Sequence, residues 1–147
     1  MNKLYNTLSI ISKEMIDYYI VGSSALMLNG IDIIPNDIDI VIKDSSQLLI
    51  FNEFHNKDRL AGSVYKCIRE CVTTKDDIVI DIFEFDYPDS IKIIEIDGIK
   101  VISLDCIKES EELILSEYDI KYSKFYEKLN SNIELIDKHI LNKKATI

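Results

Sequence analysis

Val21-Gly22-Ser23-Ser24 and, after thirteen residues counted from Ser23, Asp37-Ile38-Asp39-Ile40-Val41-Ile42 are the stretches that decide how the rest of the chain is read. Asp17-Tyr18-Tyr19-Ile20-Val21 is a β-branched and aromatic run that predicts a short strand ending at Gly22. Ser23 and Ser24 are suited to cap a helix through Asn29, with Asn29-Gly30 as its C-terminal stop. Pro35 and Asn36 then break the pattern. From Asp37 acid and aliphatic residues alternate before the run turns apolar, as in a strand entering a core. Side chains alternate along a strand, so Asp37 and Asp39 project from one face. Magnesium takes hard oxygen ligands, commonly one or two carboxylates together with phosphate oxygens, and such a pair suits it. Alone, the pair reads more readily as the solvent face of an amphipathic strand.

Working outward, Leu4, Leu8, Ile11 and Met15 recur at helical spacing and predict a helix before the first strand. Asp44, Ser45 or Ser46 can cap a further helix to about Phe54, and 56–62 reads as loop. Tyr65 to Thr73 and Ile78 to Phe85 read as a hairpin around Thr74-Lys75-Asp76-Asp77. Ile91 to Ile96 and Ile99 to Ile102 form a second hairpin around Asp97-Gly98, a dipeptide that accepts the positive φ of a tight turn. Ser103 and Asp105 can cap a helix through Ile107 and Leu113, and helical spacing continues from Tyr122 to Ile140.

Asp81 lies inside the apolar run Ile78-Val79-Ile80-Asp81-Ile82-Phe83, where a charge is costly unless paired or bound to metal. Gly22 lets backbone approach a phosphate closely. The helix opening after it offers amide groups and the Ser23 hydroxyl to phosphate oxygens. Lys121, Lys124 and Lys128 make one helical face basic, which reads first as a solvated face balancing Glu117, Asp119 and Glu127, with Lys128 as the candidate to meet a triphosphate. His55 and His139 have no motif partner, and neither is a candidate base.

The chain has 147 residues, which suits one domain, here with a core over about 17–104 and C-terminal helices over about 105–142. Lys plus Arg number 17 against 26 Asp plus Glu, a formal net charge of −9, which disfavours long nucleic acid and favours divalent metal. The three cysteines, Cys67, Cys71 and Cys106, fit no zinc spacing and read as packing residues of a reduced, cytoplasmic protein. The start at Met1-Asn2-Lys3-Leu4 carries no apolar run long enough for a signal peptide or a membrane span.

Taken together, Val21-Gly22-Ser23, Asp37-Ile38-Asp39-Ile40 and Ile80-Asp81-Ile82 resemble the signature of the nucleotidyltransferase superfamily, the DNA polymerase beta-like nucleotidyltransferase fold. Gly22-Ser23-Ser24-Ala25-Leu26 looks closest to the branch with small antibiotic and toxin–antitoxin nucleotidyltransferases. The resemblance covers about Tyr19 to Phe85, and Val101-Ile102-Ser103-Leu104-Asp105 resembles that branch's next strand-to-helix step. It implies an α/β (α+β) fold with a mixed sheet, helices packed on it and a C-terminal helical segment. It further implies Asp37, Asp39 and Asp81 as catalytic and metal-binding acids for Mg2+ or Mn2+. Gly22, Ser23, Ser24 and Lys128 would bind the nucleoside triphosphate, whose monophosphate moves to a hydroxyl of a small molecule or protein. A homodimer or a partner protein would complete so small a site. Ile33 and Pro35 stand where that branch often carries Arg and Thr, and Asn132 where it has Asp. A second reading is a non-catalytic module of the same fold that binds a nucleotide or a partner, as in a toxin–antitoxin pair. A third, coincidence in an acidic α/β protein, predicts Asp81 more than about 10 Å from Asp37.

Overall fold

The computed structural model describes residues 2–51, 53–56, 69–84, 90–117 and 124–145. They form two compact units, Met1–Ser103 and Leu104–Ile147.

In the first unit, helix α1 (Asn2–Glu14) buries Leu4, Leu8 and Ile11, the face that its sequence periodicity predicts, and Met15 is buried just beyond it. Strand β1 (Tyr18–Val21) leads directly into the short helix α2 (Gly22–Leu28), and β2 (Asp37–Ile42) follows a loop. The remaining strands are β3 (His55–Asn56), β4 (Arg69–Lys75), β5 (Ile78–Glu84), β6 (Ile93–Ile96) and β7 (Ile99–Ile102). The described strands make one mixed sheet in the order β3-β4-β5-β2-β1-β7-β6. Strand β2 is central, antiparallel to β1 and parallel to β5. Its Ile38, Ile40 and Ile42 are fully buried and contribute on the order of 1.5–3 kcal/mol each.

The helix starts differ from expectation. Gly22 itself opens α2 with φ +67°, and no side chain caps it. Ser24 is fully buried instead, and its hydroxyl donates to the Asp37 carbonyl at 2.9 Å. Asn29 ends α2 as expected, its Nδ2 donating to the Ala25 carbonyl at 2.8 Å and to the Ile102 carbonyl at 3.1 Å. The helix expected to reach Phe54 is only a 3₁₀ segment, Ser45–Ile50, opened by the Asp44 carboxylate accepting from the Ser46 amide. The cause is packing: Leu48 is buried while Leu49 is 85% exposed, so the apolar residues do not share one helical face.

Both hairpins form. Asp76 and Asp77 alone make the first turn, at φ 52° and 66°, and β4 runs on to pair Lys75 with Ile78. Asp97 and Gly98, at φ 52° and 80°, make the second. Positive φ at both central residues matches the right-handed twist of the flanking strands. His55 and Asn56, Asn56 having been read as loop, pair with β4. The segments expected at 57–62, at 65–68 and at Phe85 fall outside the described residues.

The second unit is a pair of packed helices, α3 (Leu104–Glu117) and α4 (Lys124–Ala145). Ile107 on α3 and Leu129 and Ile136 on α4 are buried. Lys108 pairs with Asp137 at 2.5 Å. Glu111 and Asn132 are buried polar residues in hydrogen-bond contact at 3.1 Å. No helix among the described residues is long and apolar enough to cross a membrane.

Candidate metal and nucleotide site

The parallel register of β2 and β5 sets Asp39 directly opposite Asp81 and Asp37 opposite Val79. Aligned residues of neighbouring strands share a face, so the three aspartates converge. One carboxylate oxygen from each lies within 4.8 Å of the others. The wide separation of Asp37 and Asp81 that would support the coincidental reading is not found. Asp81 is 8% exposed, while Asp37 and Asp39 are half-buried, so the cluster opens toward solvent on the Asp37–Asp39 side. Three carboxylates this close repel, and the repulsion is relieved by a cation. Hard oxygen donors in such a cluster fit a divalent ion such as Mg2+.

The fourth element is Gly22. Val21 pairs with Asp39, so the residue after Val21 turns past the Asp39 side chain. A β-carbon on Gly22 would sit inside contact distance of the Asp39 carboxylate, and φ +67° is itself strained for any L side chain. Glycine is therefore set by the acid as well as by the turn. Ser23, half-buried, follows at the start of α2. Ser24 serves the site indirectly, since its hydroxyl fixes the backbone from which Asp37 projects.

Lys128 is exposed on α4, in the second unit. There its charge acts on Glu111, whose carboxyl burial pushes up from 4.5 to about 7 against the Asn132 hydrogen bond and the Lys128 charge. Glu111 Oε2 meets no hydrogen-bond partner among the described residues. Asn132, the residue that departs from the resemblance, is thus spent on a buried carboxyl. The exposed and buried neighbours of the acids on β4 and β5, Thr74, Val79 and Glu70, carry no motif; only the register with Asp37 and Asp81 reveals that they share the acids' face. Cys71 and Cys106 are buried thiols outside any disulfide, and burial raises the Cys71 thiol pKa above its ordinary value.

No protein-family model and no curated protein sequence matches the chain. Solved structures do. A protein of Thermotoga maritima described as a nucleotidyltransferase superposes with a TM-score of 0.64 at 21% identity, covering 88% of this chain and 94% of that one. The antibiotic-resistance factor ANT(2″)-Ia, solved with adenylyl-2″-tobramycin, gives 0.58 at 12% identity over 97% of this chain and 90% of its own. A nucleotidyltransferase-like protein of Paracoccidioides brasiliensis gives 0.54 at 19% over 92% and 75%. The fold is that of the nucleotidyltransferases, a mixed α+β architecture with its acids on the central strands.

Proposed function

We propose that the chain is a metal-dependent nucleotidyltransferase that moves a nucleoside monophosphate from a triphosphate to a hydroxyl acceptor. The observation that carries this reading is the convergence of Asp37, Asp39 and Asp81 within 4.8 Å beside a glycine whose missing side chain leaves the Asp39 carboxylate its room. Mg2+ or Mn2+ held by these three acids would neutralise phosphate charge and acidify the acceptor hydroxyl. The remaining roles belong to the chain. Gly22 brings backbone close to the triphosphate, and Ser23 donates its hydroxyl to a phosphate oxygen. Ser24 holds the Asp37 backbone in place. In the reaction the acceptor oxygen bonds to the α phosphorus, the bond from that phosphorus to the bridging oxygen of the β phosphate breaks, and pyrophosphate leaves. The hydroxyl proton passes to Asp81, the acid on the flank of β2 away from Gly22.

In this reading the protein works in the reduced cytoplasm. The acceptor is a small molecule or a protein side chain, and a second copy or a partner protein completes its site. The similarity to ANT(2″)-Ia, which was solved with an adenylylated product, supports the small-molecule choice and ATP as donor. The non-catalytic reading draws on one observation, the commitment of Asn132 to Glu111. Labelling the α phosphate of each triphosphate separates the two. The transferase reading expects label on an acceptor and pyrophosphate in equal amounts, dependent on Mg2+ and lost in Asp39→Ala. Bound but unreacted triphosphate across a broad acceptor screen establishes the non-catalytic module instead.

A further inference from the structure

The next step rests on the nucleotidyltransferase reading and assigns the acceptor its place in it. Across β2, β5 and β4 the register lays out the residues on the acids' face in rows: Asp39, Asp81 and Val72 in one, and Asp37, Val79 and Thr74 in the next. The third row is Val41, Phe83 and Glu70. Gly22 lies on the opposite flank, because β1 pairs with β2 on the side away from β5. In-line displacement sets the nucleophile opposite the departing pyrophosphate. A triphosphate seated at the Gly22 turn therefore leaves the β5–β4 flank to the acceptor.

That flank has a distinctive surface. Val79 is 40% exposed on a strand whose Ile80 and Ile82 are buried, and it stands directly beside Asp37. Thr74, exposed, lies across from it on β4. None of the nine residues in the three rows is Lys or Arg. Arg69 and Lys75 alternate onto the other face of β4, and the turn beyond carries Asp76 and Asp77, the latter paired with Lys3 at 3.6 Å. Among the nine residues of these rows the charges are all negative, on Asp37, Asp39, Asp81 and Glu70, which disfavours a phosphodiester.

We propose that Val79 and Thr74 form the floor of the acceptor subsite, and that the subsite takes a small hydroxyl compound free of anionic groups. Val79 packs on the carbon skeleton of the acceptor, and the Thr74 hydroxyl bonds to one of its polar groups while the reacting hydroxyl lies toward Asp81. These are specificity residues, so their replacement acts on the acceptor and spares the triphosphate.

The test compares the unaltered protein with Thr74→Trp, which fills the floor, and Val79→Ala, which removes the aliphatic contact at little risk to folding. Triphosphate affinity is measured by calorimetry with Mg2+. Pyrophosphate release is measured with myo-inositol, glucosamine or a ribo-oligonucleotide with a free 3′ hydroxyl as acceptor. The expected result is triphosphate affinity within about twofold in both variants, and acceptor-dependent release at least about tenfold lower in Thr74→Trp. Val79→Ala raises the acceptor KM with kcat little changed, and the oligonucleotide supports no turnover. Preference for the oligonucleotide, release with none of the three acceptors, unchanged acceptor kinetics in both variants, or triphosphate affinity falling in step with turnover each overturns the inference alone. Absence of triphosphate binding in the unaltered protein removes the transferase reading, and the inference with it.

Discussion

Gly22 and Asp39 constrain each other. The left-handed φ of Gly22 costs a residue with a β-carbon about 1–2 kcal/mol, and that carbon would also displace the Asp39 carboxylate. Gly22→Ala is therefore expected to lower stability by only about that amount in urea unfolding, yet to weaken Mg2+-dependent triphosphate binding by more than about tenfold. Loss of stability with full affinity would show that the glycine serves the turn alone. Three carboxylates with oxygens within 4.8 Å of one another repel when no metal is present. Asp37→Asn keeps the backbone carbonyl that Ser24 holds and should raise the metal-free Tm by about 2–4 °C. Mg2+ should then stabilise the variant less than the unaltered protein in the same melting assay. A lower metal-free Tm contradicts this account of the cluster. At this scale the sequence is informative about types and poor about partners. Alternation exposes the Asp37–Asp39 pair, and a lone charge in an apolar run exposes Asp81. Nothing local in the sequence says that Ser24 is consumed by the Asp37 carbonyl or that Asp39 dictates a glycine.

Elements were legible where pattern and turn chemistry agreed. The strands around Asp97-Gly98 and the helix faces of Leu4, Leu8 and Ile11 follow from period and turn residues. The 3₁₀ segment was not legible, because Leu48, Leu49 and Phe51 satisfy an apolar count although Leu49 is exposed to solvent. Register was hidden as well, since parallel pairing of β2 with β5 joins segments some forty residues apart. The pairing of α3 with α4 holds a buried carboxyl that spacing could not flag. Glu111 has its proton affinity raised on folding, from 4.5 to about 7, so the folded state holds the proton more tightly than the unfolded chain. The contribution of this group is most favourable below about pH 4.5, declines as pH rises toward 7, and is flat above, a loss of up to about 3 kcal/mol. Glu111→Gln should remove that decline, so that urea unfolding finds the variant close to the unaltered protein at pH 4.5 and more stable at pH 8. Parallel pH profiles for the two proteins would contradict it.

For the whole molecule, the net charge of −9 and the cluster of Asp37, Asp39 and Asp81 work in one direction, since both attract a divalent cation able to offset carboxylate charge. Identities of 12–21% to proteins of the same fold show how little of the chain the architecture requires. The most direct test is calorimetric titration of ATP, GTP, CTP and UTP into the unaltered protein and into Asp37→Ala/Asp39→Ala, each with and without Mg2+. The account predicts that at least one triphosphate binds the unaltered protein only with Mg2+ and that the double variant does not bind it. Absence of binding by all four, or equal binding by the double variant, would contradict the claim that these acids form a metal and triphosphate site.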